Sequence, residues 1–125
     1  KNKDIPIYSD GSNVRDWIYV KDHCNAINLI LEKGKPGEEY CIGGSNEMSN
    51  LEICKLILEI IDTLIPCKNK NKYLDKIKFV KDRKGHDFRY SLRTSKIFYD
   101  YGIFQNSSFK KNLKLTVSHF LNSKK

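Results

Sequence analysis

Lys81 to Tyr90 (KDRKGHDFRY) is the densest group of side chains in this chain that could bind or react. Lys81, Arg83, Lys84, His86 and Arg89 surround Gly85, with only Asp82 and Asp87 as acids. A guanidinium is planar and offers two-pronged donation that suits phosphate oxygens, and Tyr90 adds a ring and a hydroxyl. The chemistry open to such a group is anion binding. A solvated basic turn accounts for the same residues, and the cluster alone does not choose between the two.

The elements that must hold this cluster can be placed from pattern. Ile77-Lys78-Phe79-Val80 alternates apolar and charged residues and ends a strand just before it. Gly85 marks a turn that few other residues could make. A loop at the C-terminal end of a strand is where α/β folds bind ligands.

Upstream, Ile5-Pro6-Ile7-Tyr8 is extended and 9–13 (SDGSN) is dense in turn formers. Val14 to Val20 is β-prone, and Asp22 is placed to cap a helix in which Ile27, Ile30 and Leu31 recur. Gly34 stops that helix, and a strand is expected over Glu39–Ile42, running into Gly43-Gly44. Ser49-Asn50-Leu51-Glu52 has the form of a capping box, followed by the apolar positions Ile53, Ile57, Ile60, Ile61 and Leu64. Asn50 then falls in a first turn, where free N–H groups favour anions, or it is a plain surface amide.

Pro66 ends this helix, and 67–76 is a charged connector. A short helix is expected over Lys96–Tyr101, and a last one starts at Ser107 or Ser108 with Phe109, Leu113, Val117, Phe120 and Leu121 near one face. The order β-α-β-α-β-α-α argues for an α/β or α+β unit with short parallel strands and packed helices.

Composition narrows the classes. The chain has 125 residues, 39% hydrophobic, which suffices for a core in one domain or one lobe of a larger body. The net charge of +8 permits an anionic partner, but the lysines are scattered without interleaved aromatics, which argues against nucleic acid. Cys24, Cys41, Cys54 and Cys67 show no metal spacing, so a reduced, cytoplasmic protein without metal is expected. Cys24 and Cys54 lie in apolar-periodic segments, as small hydrophobes do. No apolar run approaches the ~20 residues that span a membrane. The start at Lys1-Asn2-Lys3, without an initiator Met, suggests a fragment or processed piece.

Beyond periodicity, specific residues carry a resemblance. Pro6-Ile7-Tyr8, Gly11, Val14-Arg15-Asp16-Trp17-Ile18-Tyr19-Val20 and Asp22-His23 match in register. So do Tyr40 with Ile42-Gly43-Gly44, Asn46-Glu47, Asn50, and Asp82-Arg83 with Gly85-His86-Asp87. From about Pro6 to Phe120 the chain resembles the C-terminal part of the dTDP-glucose 4,6-dehydratases, within the extended short-chain dehydrogenase/reductase family of nucleotide-sugar enzymes. Related epimerases and decarboxylases share the R-D-[FW] and I-G-G patterns, and G-H-D after D-R favours the dehydratases.

That resemblance implies an NAD-dependent removal of water from a nucleotide-linked hexose, through oxidation at C4, elimination across C5–C6 and reduction at C6. The family's glycine-rich cofactor turn, its Tyr-x-x-x-Lys and its Asp-Glu pair have no counterpart here. The resemblance therefore makes residues 1–125 the substrate-binding lobe of a Rossmann-type enzyme, with no catalytic residue, no NAD site and no activity alone. Homodimers are the family habit, through helices of the half not matched here. Pro6, Ile7 and Tyr8 match the nucleoside pocket, Arg15 the diphosphate ligand, and Asn50 a further substrate contact. Asp82, Arg83, Lys84, Gly85 and His86 match the substrate loop, with Arg83 the phosphate partner, and Tyr90 matches a further contact.

The departures from the pattern lie in the same places. Lys84 replaces a proline, Cys41 an asparagine, Phe88 a basic residue and Arg93 an acid, and 101–103 (YGI) replaces L-G-W. Two alternatives stay open beside the dehydratase lobe: a binding or interaction module that kept the fold and lost the chemistry, and the lobe of a related UDP-sugar epimerase or decarboxylase.

Overall fold

The computed structural model describes residues 3–67, 73–102 and 108–123. Among the described residues, five short strands and four helices follow in order: β1 (Ile5–Tyr8), β2 (Val14–Asp16), α1 (Val20–Lys33), β3 (Glu47–Ser49) and α2 (Asn50–Leu64). A 3-10 turn (Tyr73–Lys76) then leads into β4 (Ile77–Val80), β5 (Arg89–Tyr90), α3 (Ser95–Tyr101) and α4 (Phe109–Asn122). This is an α/β arrangement with short parallel strands and packed helices.

β1 and β4 pair in parallel, with Ile5 opposite Ile77 and Tyr8 opposite Val80. β4 matches the strand expected from alternation and β1 the expected extended segment, and both end at the same level. The amide of Ser9 extends the ladder by donating to the carbonyl of Val80 at 2.9 Å. The second sheet has the order β3-β2-β5, with β2–β3 antiparallel and β2–β5 parallel. β5 was not expected as a strand, and Tyr90 belongs to it rather than to a loop.

Two expected strands differ. The β-prone stretch 14–20 keeps strand geometry only to Asp16. There the Asp16 carboxylate accepts the amides of Gly44 and Asn46, each at 2.8 Å, and the chain leaves the sheet. The helix begins at Val20 behind Tyr19, so Asp22 sits in the first turn instead of capping it. Residues Glu39–Ile42 form no ladder either. Side chains hold them instead: the Tyr40 hydroxyl meets that of Tyr101 at 2.8 Å, and the Lys96 ammonium donates to the Glu39 carbonyl at 3.0 Å. Tyr101, which in turn donates to the Lys33 carbonyl at 3.0 Å, has its pKa pushed up to about 12, mainly by Tyr40.

The glycines after this segment permit a close approach. A Cβ on Gly44 would lie 1.9 Å from the Trp17 carbonyl oxygen, and one on Gly43 would lie 2.4 Å from an Asp16 carboxylate oxygen. The Gly43-Gly44 pair is thus required by packing against 16–17.

α2 carries the expected capping box: the Ser49 hydroxyl accepts the Glu52 amide at 3.1 Å and Glu52 accepts the Ser49 amide at 2.7 Å. Such a cap is worth about 1 kcal/mol. The core among the described residues is small, with Ile7, Ala26, Ile53, Leu58, Ile97 and Val117 as its buried apolar side chains. Phe120, expected inward on α4, is 61% exposed, and Asn112 is buried instead. Cys54 is half-buried with its thiol pKa pushed up by burial, whereas Cys24 is exposed, contrary to its apolar setting in sequence. No helix among the described residues is long and apolar enough to cross a membrane.

Candidate functional site

The site is assembled at the C-terminal ends of the parallel pair β1–β4. Alternation along β1 turns Ile7 into the core and sets Pro6 and Tyr8 on the exposed face. Ile7 can therefore meet a ligand only through its main chain, while Pro6 and Tyr8 offer side chains. β4 delivers the chain into the 81–88 loop, where Gly85 adopts the left-handed φ of +69° that its position demands.

Within that loop the Asp82 carboxylate holds two donors. It lies 2.7 Å from Nδ1 of His86 and accepts the amide of Arg83 at 2.9 Å. The His86 contact, first, and the Arg83 amide keep the Asp82 carboxyl below its ordinary pKa. The His86 side chain is only 5% exposed, and its ring meets the Tyr8 ring edge-on with centroids 5.9 Å apart. The structure thus joins Tyr8 on β1 to His86 in the loop. Arg83, Lys84 and Tyr90 are exposed, and neither Arg83 nor Lys84 forms an ion pair among the described residues.

Arg15 reaches the same loop from β2. Its Nη2 donates to the main-chain carbonyl of Asp87 at 2.9 Å and its Nη1 to the carbonyl of Val14 at 2.6 Å. Neutral carbonyls orient this guanidinium without cancelling its charge, since no carboxylate pairs with it among the described residues. Tyr90 lies opposite Arg15 in the β2–β5 register, which sets both on one face. Asn13, treated as a mere turn former in sequence, is buried and donates its carboxamide to the same Asp87 carbonyl at 3.2 Å. No local signal marks it, because its partner lies 74 positions away.

Asn50 opens α2 as expected, but the first turn offers no anion site. The Asn50 amide donates to Asn13 at 2.9 Å, the Leu51 amide to Gly11 at 3.0 Å, and the Glu52 amide to Ser49. Asn50 can contact a ligand only through its half-buried side chain.

These residues form a wall more than a pocket: Tyr8 is 47% exposed and Tyr90 59%. An apolar cavity of about 280 Å³ lies elsewhere, between Trp17, Ile57, Phe109 and Leu113, and contains none of the candidate residues. Among the described residues no group of histidine, cysteine or carboxylate side chains could hold a metal ion. Nor do the residues present fit NAD. No glycine-rich strand-to-helix turn exists in the sequence, and the first-turn amides of α2 are already engaged.

The α/β scaffold, with its short parallel strands and packed helices, is that of the extended short-chain dehydrogenase/reductases. Residues 1–116 match the family model for GDP-mannose 4,6 dehydratase, and the chain belongs to that family. It is 47% identical to the dTDP-glucose 4,6-dehydratase of Haemophilus influenzae over 95% of this chain and 36% of that protein. The dTDP-glucose 4,6-dehydratase of Streptomyces venezuelae, solved with NAD and TYD bound, superposes with a TM-score of 0.84 at 37% identity, over 96% of this chain and 34% of that one. The UDP-glucose 4-epimerase of Thermotoga maritima, solved with UDP-glucose, superposes with a TM-score of 0.80 at 29% identity, over 98% and 36%. The chain spans about a third of the length of these relatives.

Proposed function

We propose that this chain is the nucleotide-sugar-binding lobe of a dTDP-glucose 4,6-dehydratase, the enzyme that converts dTDP-glucose to dTDP-4-keto-6-deoxyglucose with loss of water. The observation that carries this reading is Arg15: a guanidinium oriented by two neutral carbonyls and paired with no carboxylate among the described residues, beside the 81–88 loop. Arg15 and Arg83 bind the diphosphate, and Tyr8 and Pro6 face the nucleoside. Asn50, His86 and Tyr90 line the rest, and Asp82 and Gly85 shape the loop. Lys84 belongs to the loop and has no ion pair among the described residues. Residues 1–125 supply no catalytic group. NAD, which would carry the hydride in the complete enzyme, is held by a Rossmann half outside this sequence, and the lobe alone is inactive. A reducing, cytoplasmic setting fits the four free cysteines.

Titrating dTDP into the complete protein by calorimetry tests this. Saturable binding that Arg15→Ala weakens supports the reading, and no saturable binding rejects it. The overlay on the epimerase supports a second reading, a UDP-sugar site. Tighter binding of UDP than of dTDP in the same titration selects it.

A further inference from the structure

We infer that Glu47 and Arg89 are positioning residues for Arg15, acting as a strap behind the sheet that fixes where the Asp87 carbonyl lies. The inference rests on the reading of Arg15 as a phosphate ligand. Its structural part stands separately.

In the β3-β2-β5 sheet, Glu47 is opposite Asp16 and Arg89 is opposite Val14. Asp16 and Val14 lie two apart on β2, so Glu47 and Arg89 share one face, whereas Arg15, Met48 and Tyr90 share the other. Across β2, Oε2 of Glu47 accepts Nε of Arg89 at 3.0 Å and Nη2 at 2.6 Å. Its second oxygen accepts the Ser91 hydroxyl at 2.6 Å. Both carboxylate oxygens are thus engaged by residues of β5 and its exit.

β5 needs such a tie. It is two residues long, and it is an edge of its sheet. The main chain immediately before it is the hub of the site: the Asp87 carbonyl accepts Arg15 and Asn13, and the Phe88 carbonyl accepts the Val14 amide at 2.8 Å. If β5 slides or lifts, the acceptor that orients Arg15 moves with it. The competing account is an ordinary surface ion pair, which contributes about 0–1 kcal/mol to stability and nothing to a distant site. The two accounts differ in where the loss appears. A strap changes local opening and affinity while leaving the global melt nearly unmoved.

The test uses E47Q, the charge exchange E47R/R89E, and E38Q as a control that breaks the separate Glu38–Lys96 pair. Amide exchange at residues 87–90, without ligand, and dTDP affinity are measured in the complete protein. We expect E47Q to speed exchange at 87–90 several-fold and to weaken dTDP about fivefold, with the melting midpoint within ~2 °C. The charge exchange should recover at least half of both losses, and E38Q should change neither. Unchanged exchange in E47Q overturns the strap, as does failure of the charge exchange to recover. If the wild-type protein binds no dTDP, the reading of Arg15 falls, and the exchange measurement still decides the strap. If exchange responds and affinity does not, the strap stands and its coupling to Arg15 is overturned.

Discussion

The Tyr8 ring stands edge-on to His86, centroids 5.9 Å apart, and so links the end of β1 to the loop that leaves β4. The two strands are parallel partners whose last residues, Tyr8 and Val80, face each other. The contact therefore ties the end of β1 to a residue of the loop beyond the end of β4. Edge-to-face ring pairs contribute about 0.5–1.5 kcal/mol beyond the area they bury. Tyr8→Ala should weaken dTDP binding by up to about tenfold and shift the His86 ring resonances, since ~1.4 kcal/mol is a factor of ten. Tyr8→Phe keeps the ring edge and should stay within about twofold. If Phe is as damaging as Ala, the hydroxyl and not the ring contact carries the effect.

The Asp82–His86 pair gives a pH dependence with a definite sign. Contact with His86, and then the Arg83 amide, lowers the folded-state pKa of Asp82 below its ordinary 3.8. The resulting stabilisation is present above that ordinary value and is lost as pH falls through the lowered one. A carboxyl-carbon NMR titration should put the Asp82 midpoint below 3.8. His86→Ala should move it back up. A midpoint at or above the ordinary value would mean the loop is open in solution.

What was legible in the sequence was whatever is decided locally. β1 is an extended segment before a run of turn formers, β4 alternates, and the Ser49–Glu52 capping box is contained in four residues, so the positions of Tyr8, of the 81–88 loop and of Asn50 followed from pattern. β3 and β5 did not, because three residues and two residues become strands only by pairing with β2, which no local pattern reveals. Of the two readings of the α2 start, anion site or plain surface amide, local spacing could not choose, because its amides are engaged by the distant carbonyls of Gly11 and Asn13. The expected strand at Glu39–Ile42 failed where Tyr40, Tyr101 and Lys96 hold the segment by side chains in place of a ladder.

The exposed apolar surface predicts how the chain behaves alone. Leu31 is 80% exposed, Val20 65%, Phe120 61% and Phe79 58%, against a small buried core. Ile27 is exposed beside Leu31 on α1, as expected for a face that packs on another body. The isolated 125-residue chain should be marginal or self-associating in analytical ultracentrifugation. A clean monomer with a cooperative melt above about 60 °C, the upper range for mesophile domains, would count against its being a lobe.

NAD should not bind this chain by itself. The first-turn amides of α2 are engaged internally, and no glycine-rich turn is present to admit a pyrophosphate. Calorimetry should therefore show no saturable NAD binding tighter than ~100 µM, about 5.5 kcal/mol. Binding at that level or better would require a cofactor site built from other residues of this chain.

Arg15 and Arg83 should converge on the substrate diphosphate from β2 and from the loop. Each would contribute a charge-assisted hydrogen bond in a partly dry cleft, worth roughly 1.5–3 kcal/mol. Arg15→Ala or Arg83→Ala should then weaken dTDP-glucose binding by about ten- to a hundredfold in the complete protein. Arg→Lys should recover only part of this, because an ammonium cannot reproduce the planar fork. For Arg15 the deficit has a structural counterpart: its Nη2 donates to Asp87 while Nη1 donates to Val14, and an ammonium is not shaped to span both carbonyls. Lys84→Ala should matter little, although Lys84 is adjacent to Arg83 and equally charged. An ordinary basic surface predicts the reverse, with equal losses for Arg83 and Lys84 that vanish as salt screens them over ~10 Å at 0.1 M. Measuring all these variants at low and moderate salt separates the two. Unequal losses that survive moderate salt assign the diphosphate to the arginines, and equal losses erased by salt return the loop to solvated surface.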